Sequence, residues 1–155
     1  MALVSAKTII LFRSCFLWSL GYMLVMSPKK VSEHPLVLLI GQAMEIPPAH
    51  IEDSNQLLGL LAIVLITAGL SDIPLLAVEG SHYITVNAVI VPLRLLIFFA
   101  ATAWAYVSPE NSLLHNGLVF AYGFVEVIIN FLIYVVVREE KNEIIGAEIK
   151  LRHQD

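Results

Sequence analysis

Residues 86–107 read VNAVIVPLRLLIFFAATAWAYV, an apolar run with a single charged side chain, Arg94. A helix needs about 20 mainly apolar residues to cross the roughly 30 Å hydrocarbon core of a bilayer. Three further runs come close to that length, at 7–26, 56–77 and 114–137. The sequence therefore predicts an all-α, polytopic membrane helical bundle with about four transmembrane helices.

The composition of the whole chain agrees with a membrane environment. Of its 155 residues, 58% are hydrophobic and 14% are charged, whereas about a quarter of the residues in a soluble domain are charged. Four crossings with their connections use almost the whole chain, which leaves no room for a separate catalytic domain. The net charge is −4 and the nine Lys and Arg residues are dispersed, so we expect no direct nucleic-acid binding.

A shorter apolar segment, 36–46, lies in the first long loop between Pro35 and Pro47. It is too short to span, and we expect an interfacial or re-entrant helix, or one tucked between the spanning helices. The sequence leaves two alternatives for the end of the second crossing, because Pro74 disfavours helical geometry at Ile73. That crossing therefore ends near Asp72 or continues to about residue 77.

Small residues four apart favour close packing of the third and fourth crossings: Ala101 and Ala105 on one, Gly117 and Ala121 on the other. The single cysteine, Cys15, excludes an internal disulfide. We expect it to be a buried small side chain.

Positively charged residues near the ends of the crossings predict the orientation. In a four-crossing model, the following fall on one side: Lys7, Arg138, Lys141, Lys150 and Arg152. Only Lys29 and Lys30 fall on the other, so we expect both termini to be cytoplasmic. The charged tail, 138–155, is interpreted as an extension of the fourth helix. The alternation of Ile145, Ala147, Ile149 and Leu151 favours a second hypothesis, a strand that docks on a partner's sheet.

Ionisable groups inside a bilayer are costly and are functional candidates. The sequence places a polar cluster within the spans, made of Arg13, Asp72, Arg94, Glu126 and Asn130. Helix rise puts its charged members on the cytoplasmic side of the bilayer, and we expect Arg94 to pair with Glu126. The cluster is interpreted as structural. The alternatives are an ion or proton pathway and a polar pocket for a lipid headgroup or substrate.

Other signatures of chemistry do not occur in the sequence. The histidines are scattered, without the close pairs that zinc sites use: His34, His50, His82, His115 and His153. No Gly-x-Ser-x-Gly, Walker or Gly-x-Gly-x-x-Gly pattern is present. We therefore expect no enzymatic activity, no catalytic residue, no metal and no cofactor.

Four stretches resemble a known family: the start Met1-Ala-Leu-Val-Ser-Ala-Lys-Thr-Ile, Gly41-Gln-Ala-Met with Pro47, Gly69-Leu-Ser-Asp72, and Val91-Pro-Leu-Arg-Leu-Leu-Ile-Phe-Phe99. The chain is similar in these to the fungal "increased loss of mitochondrial DNA" proteins, small multi-spanning proteins of the endoplasmic reticulum membrane. The resemblance implies a protein whose loss disturbs mitochondrial DNA maintenance indirectly.

The sequence and the resemblance together give one functional hypothesis and two alternatives. We expect a non-enzymatic endoplasmic reticulum membrane protein, a subunit or scaffold whose partners are membrane lipids and other membrane proteins. The alternatives are a small cation channel or transporter and a lipid-transfer component at an organelle contact.

Overall fold

The computed structural model describes residues 5–49, 51, 57–78, 81–109 and 112–152. They form six helices: α1 (Ala6–Met26), α2 (Pro28–Ser32), α3 (Pro35–Ala43), α4 (Leu57–Ala77), α5 (Ser81–Val107) and α6 (Gly117–Arg152). Helices α1, α4, α5 and α6 contain stretches long and apolar enough to cross a membrane. The predicted all-α membrane bundle is confirmed. Residue 56, expected to start the second crossing, and residues 153–155 of the tail lie outside the described residues.

The spanning helices are arranged in the order α4, α1, α6, α5, because α1 packs along α4 on one side and contacts α6 on the other, while α5 packs along α6. Ser5 caps α1 by accepting a hydrogen bond from the Lys7 amide at 3.4 Å. Small residues allow the α1–α4 approach. A Cβ on Gly69 would lie 2.8 Å from Trp18 Nε1 and 3.2 Å from the Ser14 carbonyl oxygen.

The contact between α5 and α6 differs from the one that the sequence predicted. Gly123 is the close-packed glycine there, because a Cβ on it would collide with Thr102 of α5. Gly117 instead lies against Gly41 of α3, and Ala101 is exposed. The predicted role of Ala101 and Gly117 in this contact is therefore wrong, since sequence spacing does not fix which neighbour a helix face meets.

Helix α3 is too short to cross the membrane, at roughly 14 Å for nine residues. It ends in a Schellman motif, in which the Ile46 amide donates to the Gly41 carbonyl and the Glu45 amide to that of Gln42. Glu45 has a φ of 55° where glycine is usual, at a cost of about 1 kcal/mol. The Gly117 amide then donates to the Pro47 carbonyl at 2.8 Å. These bonds fix α3 against the start of α6.

Two features of the long helices differ from simple sequence rules. Helix α4 continues through Pro74 to Ala77, so the proline does not end it. Helix α6 continues past the membrane segment to Arg152, so the strand hypothesis for the tail is wrong over the described residues.

Cys15 was expected to be buried but is exposed on the surface of α1.

The core of the bundle has two apolar parts. One contains Ala6 and Ile10 of α1 with Ile133 of α6, and the other contains Leu17 of α1 with Leu65 of α4. Along α1, the polar residues Arg13 and Ser14 separate these parts, and both are buried. The polar cluster is therefore a layer between two apolar cores.

Candidate functional site: a buried charge cluster

Each spanning helix contributes one charged side chain to this layer: Arg13 from α1, Asp72 from α4, Arg94 from α5 and Glu126 from α6. Asn130 lies one turn beyond Glu126 and bonds to it. Asp72, Glu126 and Asn130 are fully buried and Arg13 is nearly so, whereas the Arg94 side chain is 26% exposed. The structure thus brings together all five residues of the predicted cluster.

The Glu126 carboxylate accepts four hydrogen bonds. Arg13 donates from Nε to Oε2 at 2.8 Å and from Nη2 to Oε1 at 3.0 Å. This is the bidentate arrangement that a guanidinium makes and an ammonium cannot. Tyr122 Oη donates to Oε1 at 3.2 Å and Asn130 Nδ2 to Oε2 at 2.9 Å. Each oxygen therefore has two donors, which is the full capacity of a carboxylate.

Asp72 is held between the two arginines. Arg13 Nη1 donates to Asp72 Oδ2, so one guanidinium binds both acidic residues. Arg94 Nη1 lies 2.7 Å from Asp72 Oδ1. The two groups are not aligned for a hydrogen bond, and Oδ1 has no hydrogen-bond donor. Their attraction is therefore coulombic, and the two positive and two negative groups sum to zero.

The predicted pair of Arg94 with Glu126 is wrong, since Arg94 pairs with Asp72. Helix rise gave similar depths for Arg94 and Glu126, and α5 does pack on α6. Depth does not say which way a side chain points, however, and Arg13 already occupies both oxygens of Glu126. Asp72 presents the oxygen that remains.

One polar residue that the sequence analysis passed over, Tyr122, completes the layer, and Asn87 is a further buried polar residue nearby in sequence on α5. Tyr122 lies one turn before Glu126, a spacing that places both on one face of α6. Asn87 of α5 is buried and donates to the Tyr83 carbonyl at 2.9 Å. Besides Asp72 Oδ1, two further buried side-chain atoms in the described residues have no hydrogen-bond partner, Asn130 Oδ1 and Tyr83 Oη. A search for polar residues one turn from each intramembrane charge would have found Tyr122.

A second polar contact joins the start of α1 to the outer part of α6. Glu140 Oε1 accepts hydrogen bonds from Ser5 Oγ at 3.2 Å and from the Ala6 amide at 3.0 Å. A carboxylate at a helix N-terminus satisfies unpaired amides and is favoured by the helix dipole. Lys7 Nζ donates to the Val78 carbonyl at 3.1 Å, at the end of α4. The start of α1, the end of α4 and Glu140 therefore lie at the same end of the bundle.

Within the described parts of the chain, no group of three or more His, Cys, Asp or Glu side chains could hold a metal ion. His34 caps α3 by accepting a hydrogen bond from the Leu36 amide at 3.3 Å. The His115 ring lies 3.0 Å from the Ala105 carbonyl oxygen through Nδ1. His50 and His153 lie outside the described residues. The described histidine contacts thus belong to helix ends and connections.

Comparison with known proteins identifies the family of the chain. The family model described as "Increased loss of mitochondrial DNA protein 1" matches residues 4–146. The chain is 36% identical over 141 residues to "Protein ILM1" of Saccharomyces cerevisiae, covering 90% of this chain and 68% of the relative. It is 29% identical over 140 residues to "Protein ilm1" of Schizosaccharomyces pombe, covering 90% and 84%. No solved structure matches the chain. The predicted family resemblance is confirmed, and none of these names carries an enzymatic designation.

Proposed function

Because the chain belongs to the increased loss of mitochondrial DNA protein 1 family, we propose that it is a non-enzymatic subunit or scaffold for other membrane proteins in the endoplasmic reticulum. Its effect on mitochondrial DNA is indirect in this proposal, acting through the assembly or upkeep of membrane proteins. Direct contact with DNA is disfavoured by the acidic net charge of −4.

One observation carries this proposal: the charges inside the bundle are used up in joining its four helices. Glu126 has a full set of donors, and both acidic residues are bound by Arg13. Glu126 in that state has no oxygen left to bind a cation or accept a proton from a substrate, and the remaining oxygen of Asp72, Oδ1, faces the Arg94 guanidinium. Such a cluster fixes the helices at one depth, which leaves the outer faces of the bundle to meet other molecules.

The outer face of α5 is the most suitable partner surface. Among the four spanning helices, α5 has the smallest buried share. Its exposed row consists of Val89, Leu93, Leu96, Ala100, Ala103 and Val107. The two alanines would let another helix approach closely, which is how spanning helices associate in lipid. This row therefore offers a mixed surface of large and small side chains to a second membrane protein.

The proposal is tested by photo-crosslinking in native membranes followed by purification in a gentle detergent. A photoreactive amino acid at Leu96 of α5 is expected to give one discrete adduct with another protein. The matched control is the same amino acid at Leu60, which is equally apolar and exposed on α4, and it is expected to give diffuse labelling of lipid. Purification should then recover the same companion in fixed stoichiometry.

Two results would overturn the proposal. The first is a lone protein without companion, with crosslinks at Leu96 that match those at Leu60. The second is ion flux through liposomes that contain only the purified chain, which would favour the channel or transporter alternative. Net movement of phospholipid between such liposomes and acceptor membranes would favour lipid transfer instead.

A further inference from the structure

A groove of about 240 Å³ lies on the surface of the bundle between α1 and α3, with α6 as its floor. It exists because α3 packs on α6 and α2 but makes no extensive contact with α1. The Gly41–Gly117 approach fixes α3 in that place. The groove is therefore held open by backbone contacts rather than by the side chains that line it.

The lining of the groove is almost entirely apolar. Leu118, Ala121 and Val125 form the floor, with Leu20 on one wall and Ile40 on the other. Tyr122 also borders the groove, but its hydroxyl donates to Glu126 in the polar cluster. The groove thus has no uncommitted tyrosine hydroxyl to offer, and it suits a hydrocarbon occupant.

The direction of the groove matches that of a lipid chain. On α1 it extends from Phe16 to Met23, which is roughly 10 Å along the helix axis. One leaflet of the hydrocarbon core is roughly 15 Å deep. The groove therefore covers about two thirds of one leaflet and runs along the spanning helices, as an acyl chain does.

One polar side chain, His34, lines the outer end of the groove. His34 and Val31 line it where α2 meets α3, at the end of α1. Lys30 is exposed on α2, four residues before His34 in the sequence. Glu33 is close in sequence, and with Lys29 and Lys30 it leaves a formal charge of +1 on this segment. An ammonium and an imidazole at the end of a spanning helix are suitably placed for a lipid phosphate.

We propose that this groove binds one acyl chain of a membrane phospholipid, whose phosphate lies beside Lys30 and His34. An engineered apolar cavity of about 150 Å³ takes up benzene, so a groove of about 240 Å³ holds a segment of one chain. Since surrounding lipid is equally apolar, packing and the phosphate contact retain the bound molecule.

The test uses the full chain in phosphatidylcholine liposomes with a trace of phospholipid that carries a diazirine on its acyl chain. Illumination is expected to label residues 118–125 of α6 more strongly than the exposed row of α5. Ile40→Trp fills the groove and should reduce that label to the level found on α5. The matched control is Leu39→Trp, because Leu39 is on the same helix but 64% exposed, and it should leave the label unchanged.

A second variant, Met23→Trp, narrows the groove from the opposite wall and keeps the test valid if Ile40→Trp does not fold. Lys30→Glu should also reduce the amount of phospholipid that stays bound through detergent purification, as measured by native mass spectrometry. Even labelling of all outer faces would overturn the proposal, as would a label that neither tryptophan reduces. A copurified polypeptide that shields residues 118–125 from the label would overturn it too.

Discussion

At the scale of single residues, Arg13 is the centre of the bundle. Its guanidinium donates hydrogen bonds from Nε and Nη2 to Glu126 and from Nη1 to Asp72. Each of these contacts neutralises a carboxylate that is fully buried. Arg94 has a smaller part, since it faces only Asp72 and is partly exposed. The two intramembrane arginines should therefore respond very differently to substitution.

Arg13→Leu is expected to destabilise the protein severely, because it leaves the buried Glu126 carboxylate without a counter-ion and leaves Asp72 with Arg94 alone. Removing one partner of a buried ion pair costs about 3–5 kcal/mol. Arg94→Leu should cost about 1 kcal/mol, since Asp72 keeps Arg13. Thermal unfolding in detergent and the steady-state protein level measure both effects. Arg138→Leu is the control, because Arg138 is exposed and should have little effect; equal losses in all three variants would contradict the ranking.

The residues of this cluster were predictable, but their pairing was not. The cost of a charge in lipid singles out Arg13, Asp72, Arg94 and Glu126 from the sequence alone. Pairing depends on rotation about each helix axis, and apolar positions all around these helices leave that rotation undetermined. Depth alone therefore predicted a pair of Arg94 with Glu126. In the structure, the guanidinium of Arg13 from α1 binds that carboxylate instead.

At the scale of elements, the lengths of the apolar runs predicted the four spanning helices. They did not predict which of these helices pack against each other. The α1–α4 contact depends on Gly69, which the backbone of Ser14 and the ring of Trp18 approach closely. Gly59 is on the same helix, yet nothing would meet a Cβ there within 4 Å. Sequence alone does not distinguish these two glycines. The structure gives them opposite roles.

Gly69→Leu is expected to separate α1 from α4 and to lower the melting temperature, because the added side chain would meet the backbone of α1. Overpacking of this kind costs about 1–3 kcal/mol. Gly59→Leu should be neutral or stabilising by up to about 1 kcal/mol, since leucine is the better helix former. The measurement is thermal unfolding of both variants in the same detergent. A similar melting temperature for the two would mean that the close approach of α1 and α4 does not exist.

At the scale of the whole molecule, two structural facts fix which ends lie together. Glu140 of α6 caps the start of α1, so the two terminal regions share one end of the bundle. The α2–α3 junction lies at the other end of α1. Neither fact says which end faces the cytoplasm. The flanking positive charges predict which end faces the cytoplasm, because five lie on the side of the two termini and two lie on α2.

We therefore expect both termini to face the cytoplasm and α2 to face the opposite side. Tags on either terminus should be digested by protease added to sealed microsomes, because both lie on the outer surface in that preparation. A cysteine at Glu33, which is exposed on the α2–α3 connection, should react with a membrane-impermeant maleimide only after the microsomes are opened. The native Cys15 is replaced by serine so that one thiol is followed. Protection of both tags, or labelling of Glu33→Cys in sealed microsomes, would contradict the predicted orientation. Protection of only one tag would show that the two terminal regions lie on opposite sides of the membrane. The Lys29→Glu, Lys30→Glu double variant is the control, because removal of the opposing charges should leave the orientation unchanged.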